Sequence, residues 1–230
     1  MVKKKISRKK LLKDPDEFIS TTARVMQFVK EHRQQVTRSA IIFALVIAFA
    51  AGTYLYVHWR ASSARHFQQE GFQYYQEALS QGTNAEAAQK AYRSALERFQ
   101  KSISTYGWGE MAQISRLFVG HCHYALQEYE QAEKAYSRCL DGPFQAIAYD
   151  GLGHSYEAQG QYEKAKESYQ KNTEASNNPY QLESLLAVGR CLELLNQKEK
   201  ALKVYQEAQE KFPKSTFGDF MQWKIGVLKG

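Results

Sequence analysis

The sequence predicts an all-α protein in which one membrane-spanning helix near the N-terminus precedes a stack of helix hairpins. Three observations carry this prediction. The stretch SAIIFALVIAFAAGTYLYVHW, Ser39 to Trp59, has no Asp, Glu, Lys or Arg, in a chain where those four make up 24% of residues. From about Arg60 onward the composition is rich in Ala, Tyr, Glu, Gln and Lys, poor in Val and Ile, and includes only three prolines, which favours helix throughout. Within that region a glycine, an alanine twelve residues later and a tyrosine sixteen residues later recur three times: Gly120, Ala132 and Tyr136; Gly153, Ala165 and Tyr169; Gly189, Ala201 and Tyr205.

The first element is a basic arm, residues 1–38. Asp14-Pro15-Asp16-Glu17 is a helix start, since Asp14 can cap, Pro15 has a suitable φ and no amide hydrogen, and Glu17 can reach back to the cap. Phe18, Val25, Phe28 and Val29 then recur at helical spacing between charged residues, predicting an amphipathic helix that leads toward the membrane. Its apolar strip either lies on lipid or docks on a partner, or the segment is a frayed extension of the anchor. Lys3-Lys4-Lys5, Arg8, Lys9 and Lys10 read as a tail attracted to anionic headgroups.

The second element is the span, residues 39–59. Nineteen residues from Ser39 to Val57 are uncharged, and as helix they cover roughly 28 Å, close to the bilayer's hydrocarbon core of roughly 30 Å. A soluble core helix of that length would show a polar face, whereas the polar atoms here are confined to Thr53 and two tyrosines near one end. Ala48-Phe49-Ala50 has the small-x-small pattern of a cleaved signal, yet the apolar run continues past it through Val57, which favours a retained anchor. Eleven basic and four acidic residues precede Ser39, an excess that accounts for the chain's whole net charge of +7. The positive-inside rule therefore places the arm in the cytoplasm and the C-terminal part across the membrane. With the excess beside the membrane, the basic pI is no sign of nucleic-acid binding. Ala40, Ala44, Ala48 and Gly52 fall four apart along one side of the span. Such a row admits another helix, either a second copy in a homodimer or a different membrane protein, or it reflects the ordinary abundance of alanine.

The third element, residues 60–230, holds the repeats. The segment AIAYDGLGHSYEAQGQYEKAKESYQ, with Tyr149, Leu152, Gly153, Tyr156, Gly160, Tyr162, Ala165 and Tyr169, resembles a tetratricopeptide repeat (TPR), and Phe212-Pro213 matches that family's closing proline. The resemblance implies a right-handed superhelical stack of hairpins. Gly153 and Ala165 are expected where the two helices of a hairpin cross, with the tyrosines filling space toward the neighbouring hairpin. Arg65–Leu79 and Ala91–Ile103, joined at Gly82-Thr83-Asn84, read as a degenerate first hairpin. Phe217, Phe220, Met221, Ile225 and Leu228 form one side of a closing helix capped by Ser215 or Thr216.

An amphipathic arm, one span and a short run of such repeats together resemble the ancillary TPR-like subunit anchored beside the SecYEG export channel of bacteria. That resemblance implies a single-pass inner-membrane protein with a periplasmic domain, whose partners are export-channel subunits and periplasmic chaperones or unfolded clients. Two other readings stay open: a structural TPR subunit of another envelope or secretion complex, and a membrane protein that binds a stress regulator through its arm. In the repeat family the first helix of each hairpin lines a concave groove. The matching positions are Leu117, His121 and Tyr124; Asp150, His154 and Glu157; and Leu186, Arg190 and Glu193. They lack the Lys, Arg and Asn cluster that grips a chain-terminal carboxylate in chaperone-binding relatives, which argues against that mode. An amphipathic helix or extended peptide suits the groove, and the alternative is that these are solvated helix faces.

No enzyme, cofactor or metal is predicted: the sequence has no Gly-rich phosphate loop and no nucleophile with a base at a recognisable spacing. In His121-Cys122-His123 the two imidazoles point roughly 200° apart on a helix, which argues against shared ligation of one ion. Cys122, Cys139 and Cys191 read as small buried residues, with a Cys122–Cys139 bridge as the alternative.

Overall fold

The computed structural model describes residues 17–174 and 178–230, without the side chains of 17–20. The basic run and the Asp14-Pro15-Asp16 helix start lie outside the described residues, as do the side chains of Glu17 and Phe18. All regular structure among the described residues is helical. The chain divides into two compact units, Met1–His58 and Trp59–Gly230.

The first unit contains α1, Glu17–Glu31, and the first part of α2, Arg33–Ser80. Val25, Phe28 and Val29 on α1 are exposed, as an amphipathic strip requires. The span expected at 39–59 is not a separate element but lies inside α2. No proline interrupts 33–80, and single glycines at 52 and 71 cost too little to stop a long helix. An 18-residue window of α2 has a mean hydropathy of 2.2 and none of it is buried; α2 is the one helix among the described residues long and apolar enough to cross a membrane. Thr53 Oγ1 donates to the Phe49 carbonyl at 2.9 Å, so the hydroxyl within the apolar run is satisfied on its own helix. Ala40, Ala44, Ala48 and Gly52 are all exposed, and a Cβ at Gly52 would meet nothing within 4 Å.

The second unit begins with the end of α2 and continues with α3 (Ala85–Thr105), α4 (Gly109–Ala125), α5 (Tyr129–Ser137), α6 (Gln145–Ala158), α7 (Tyr162–Glu174), α8 (Gln181–Leu194), α9 (Lys198–Lys211) and α10 (Gly218–Lys229). From α3 onward each helix packs on the next in chain order, as a hairpin stack requires. The first hairpin turns at Gly82, φ +56°, and Asn84 caps α3 by accepting the Ala87 N–H at 3.2 Å. The three later hairpins share one turn. Gln127, Gly160 and Asn196 occupy the left-handed region at φ 61°, 70° and 58°. The next amide in each case donates back across the turn, Glu128 to the His123 carbonyl, Gln161 to Tyr156 and Gln197 to Leu192, each at 2.8 Å.

The repeat glycines make room for rings rather than for a helix backbone. A Cβ on Gly120 would lie 2.6 Å from the Tyr136 ring, one on Gly153 2.4 Å from Tyr169, and one on Gly189 2.7 Å from Tyr205. The tyrosine of a hairpin's second helix thus sits on the glycine of its own first helix. Tyr136 also reaches Gly151 of the next hairpin, where a Cβ would come within 2.5 Å. In the first hairpin Phe99 plays this part against Gly71. Cys122, Cys139 and Cys191 are buried free thiols, so no Cys122–Cys139 bridge is present. Burial pushes Cys122 and Cys191 up to about 12 and Cys139 up to about 11. On α10, Met221 and Ile225 are buried and close the stack. The helix is not capped by a Ser215 or Thr216 side chain: Phe217 holds the cap position, and Ser215 Oγ, two residues earlier, accepts the Phe217 N–H at 3.1 Å.

Candidate protein-binding face

The first helices of successive hairpins, α4, α6 and α8, carry the expected groove residues, and the period of the repeat brings them into register. The buried tyrosines emerge by their hydroxyls onto this face. Tyr136 Oη lies 2.8 Å from His121 Nδ1. Tyr169 Oη donates to Glu157 Oε2 at 2.8 Å and lies 3.0 Å from His154 Nδ1. Tyr205 Oη donates to Glu193 Oε1 at 2.7 Å.

Proton counting on these hydroxyls separates the two histidines. Tyr169 spends its one proton on Glu157, so toward His154 its oxygen accepts and Nδ1 of His154 carries hydrogen. His154 Nε2 lies 3.4 Å from Asp150, so both nitrogens face acceptors. The hydrogen bond to Asp150 accordingly raises the His154 pKa above the ordinary histidine value, against the effect of partial burial. The Tyr136 hydroxyl, by contrast, is free to donate to His121, and burial lowers the pKa of that imidazole. The two imidazoles are thus shifted in opposite directions.

Ion pairs link one repeat to the next. Arg190 of α8 grips Glu157 of α6 through Nε at 2.8 Å and a terminal nitrogen at 2.7 Å. Burial alone would push the Glu157 carboxyl up, but the hydrogen bonds from Arg190 and Tyr169 hold it below the usual range. Lys224 of α10 lies 2.9 Å from Glu193 of α8. The strip therefore runs His121, Asp150, His154, Glu157, Arg190, Glu193, Lys224, with the Tyr124 ring 6.3 Å from that of His154. Such a strip offers donors, acceptors and exchangeable ion pairs to another polypeptide.

Two expected members sit differently. Leu117 is 3% exposed and packs with Ala132, Tyr136, Ala148 and Leu152, so it is a core residue and presents no surface to a partner. Leu186 is largely buried but forms part of the wall of a cavity of about 420 Å³ together with Arg190, Phe217, Phe220, Trp223 and Lys224. Sequence alone assigns Phe217 and Phe220 to a closing helix and does not place them, Trp223 or Lys224 beside the groove positions. Lys224 follows Glu193 by 31 residues, nearly the 33 that separate Glu157 from Arg190, and that spacing puts α10 in the register of the first helices α6 and α8. His121 and His123 face different partners, His123 Nδ1 lying 2.7 Å from Glu128. Among the described residues no group of three His, Cys, Asp or Glu side chains is arranged to hold a metal ion.

The comparisons with known proteins agree with this architecture. Two tetratricopeptide-repeat models match, one over residues 72–146 and one over 144–214. Among solved structures the chain is similar to the apo form of RapI, with a TM-score of 0.55 and 16% identity over 74% of this chain and 48% of that one. It is also similar to TPR-like repeats attributed to a kinesin light chain of Podosopora anserina, with a TM-score of 0.51 and 14% identity over 75% of this chain and 84% of that one. The chain spans about half the length of RapI, and at these identities the likeness is one of fold. No curated protein matches the chain. Repeats of this kind are protein-interaction scaffolds, typically without catalytic activity. Since the two matched segments together run from residue 72 to residue 214 of 230, the chain belongs to the tetratricopeptide-repeat family.

Proposed function

We propose that this protein is a membrane-anchored scaffold that holds a periplasmic chaperone, or a client chain, beside the protein-export channel. The observation that carries the reading is that α2, the helix whose end opens the repeat stack, includes a fully exposed 18-residue window of mean hydropathy 2.2. The basic excess before that window supports a cytoplasmic N-terminus. The strip from His121 to Lys224 supports recruitment of a polypeptide through the groove, with Tyr124, His154, Glu157, Arg190 and Glu193 as its contact residues.

The test has two parts. The protein stays with the membrane pellet after alkaline carbonate extraction, and protease added to spheroplasts digests the repeats; recovery in the soluble fraction, or protection of the repeats, overturns the anchor and its orientation. A photo-crosslinker at Tyr124 or Arg190 captures a soluble chaperone or a translocating chain. Crosslinks obtained only from the Ala44 side of the span favour a structural subunit of another envelope complex, and crosslinks only from the arm favour a regulator-binding role.

A further inference from the structure

Roughly on the opposite side of α4 from His121, by helix geometry, lies a cavity of about 330 Å³ between α3, α4 and α5. Its apolar lining comes from Ile103, Val119 and Ala135, and three cations, Arg116, Lys134 and Arg138, surround it. None of the three forms an ion pair among the described residues. Glu128, the partner of the lining residue His123 at 2.7 Å, is also engaged by Arg93 at 3.5 Å. Arg116 is held in place by donating to the Gly107 carbonyl at 2.8 Å. Lys134 lies in the last turn of α5 and Arg138 is its C-cap, where the helix dipole favours positive charge, so both cations stand at the rim without an ion-pair partner.

The cavity is not a general consequence of stacking hairpins. One repeat later, 33 residues on, the positions of Arg116 and His123 are taken by Tyr149 and Tyr156 and that of Lys134 by Glu167, while that of Arg138 keeps a cation, Lys171. Those tyrosines pack against the core, with Lys171 over the Tyr149 ring at 5.7 Å and Lys164 over Tyr156 at 5.4 Å. There the space is filled by rings. In the α4–α5 hairpin the rings are absent from this register, and three cations stand around an open apolar floor.

We propose that this cavity binds a partner polypeptide through an acidic–apolar segment, the apolar side chain entering between Ile103, Val119 and Ala135 while a neighbouring carboxylate meets Arg116, Lys134 and Arg138. The guanidinium fork suits a carboxylate. Gln100 and Gln131 on the lining offer both a donor and an acceptor to a peptide backbone, which favours a peptide over a simple fatty acid. The site lies away from the groove and is independent of the membrane reading.

The experiment uses the full-length chain in dodecyl maltoside and a fluorescein-labelled, amidated peptide of five Leu-Glu pairs, read by fluorescence anisotropy. The peptide binds, and affinity falls about ten-fold or more in Lys134→Glu/Arg138→Glu and several-fold from low to high salt. Both substituted side chains are exposed, and unchanged helicity confirms the fold; the milder Lys134→Gln gives a smaller loss in the same direction. Lys203→Glu, at an exposed position of α9 that is not on the cavity lining, leaves binding unchanged. Absence of binding, equal binding by the charge-reversed variant, or equal binding by a Gly-Glu peptide overturns the proposal. Binding of laurate without binding of the Leu-Glu peptide overturns it in favour of a lipid-type ligand.

Discussion

Replacing Gly120 by alanine tests the packing rule on which the hairpin stack rests. In a helix interior this substitution ordinarily stabilises, by about 0.5–1 kcal/mol, because alanine loses less backbone freedom on folding. Here the new Cβ would lie 2.6 Å from Tyr136 Cε1 and 2.8 Å from its Cδ1 and Cζ. The ring has little freedom to retreat. Tyr136 is 2% exposed, its hydroxyl is tied to His121 at 2.8 Å, and it must also clear Gly151, whose own missing Cβ would lie 2.5 Å from Cζ. Overpacking a filled core costs about 1–3 kcal/mol, so the expected net effect is a loss of about 1–2 kcal/mol after the helical gain is subtracted. At about 2–4 °C per kcal/mol for a domain of this size, the melting temperature falls by several degrees.

The matched control is Gly226→Ala on α10, where nothing lies within 4 Å of the Cβ position and the same chemistry should stabilise. Thermal and urea unfolding followed by circular dichroism at 222 nm reads both variants, and hydrogen exchange locates the loss at α4–α6 if the stack unfolds in steps. A second substitution, Tyr136→Leu, removes the ring, and Gly120→Ala should then cost much less than in the wild type, a coupling visible in a double-mutant cycle. If Gly120→Ala raises stability as Gly226→Ala does, the reading of these glycines as clearance for a ring is wrong.

Gln127 adopts φ 61° where the equivalent turns use Gly160 and Asn196, so Gln127→Gly should stabilise the chain by about 0.5–1 kcal/mol, the left-handed strain relieved less the entropy of glycine; a fall in melting temperature refutes this. Histidine titration by NMR should place His154 above and His121 below the ordinary value of about 6.5. Because the folded pKa of His154 is raised, its contribution to stability is complete below that value and is lost as pH rises through the folded pKa; His154→Gln should flatten the decline on the alkaline side, whereas His121, whose folded pKa is lowered, loses its contribution as pH falls. Arg190→Met deprives Glu157 of a bidentate partner, which should cost about 1 kcal/mol after allowance for the half-exposed guanidinium. It should also raise the Glu157 pKa, so that its contribution, present at neutral pH and lost as pH falls through the folded pKa, disappears at a higher pH than in the wild type.

How far the fold can be read from the chain depends on what each signal reports. The Gly–Ala–Tyr offsets report a contact, a ring seated on a bare helix face, and wherever the contact persisted the hairpin was legible. Phe99 keeps the ring against Gly71 but stands 28 residues after it instead of sixteen, so the first hairpin shows in the sequence only as a degenerate copy. Hydropathy reports a solvent, not a helix end, so the apolar run at 39–59 says nothing of the continuous helix from Arg33 to Ser80. Leu117 shows the limit of transferring positions between repeats. At the first position of each trio Asp150 is half-exposed, Leu186 walls a cavity and Leu117 is core, so one register holds three environments, and the neighbouring second helix decides which. The same logic explains why the cationic cavity went unread: a charge run on a helix is ordinarily a solvated face, and only the loss of two filling tyrosines relative to the following repeat, visible once the hairpins are superposed in register, turns Arg116, Lys134 and Arg138 from surface residues into the rim of a site.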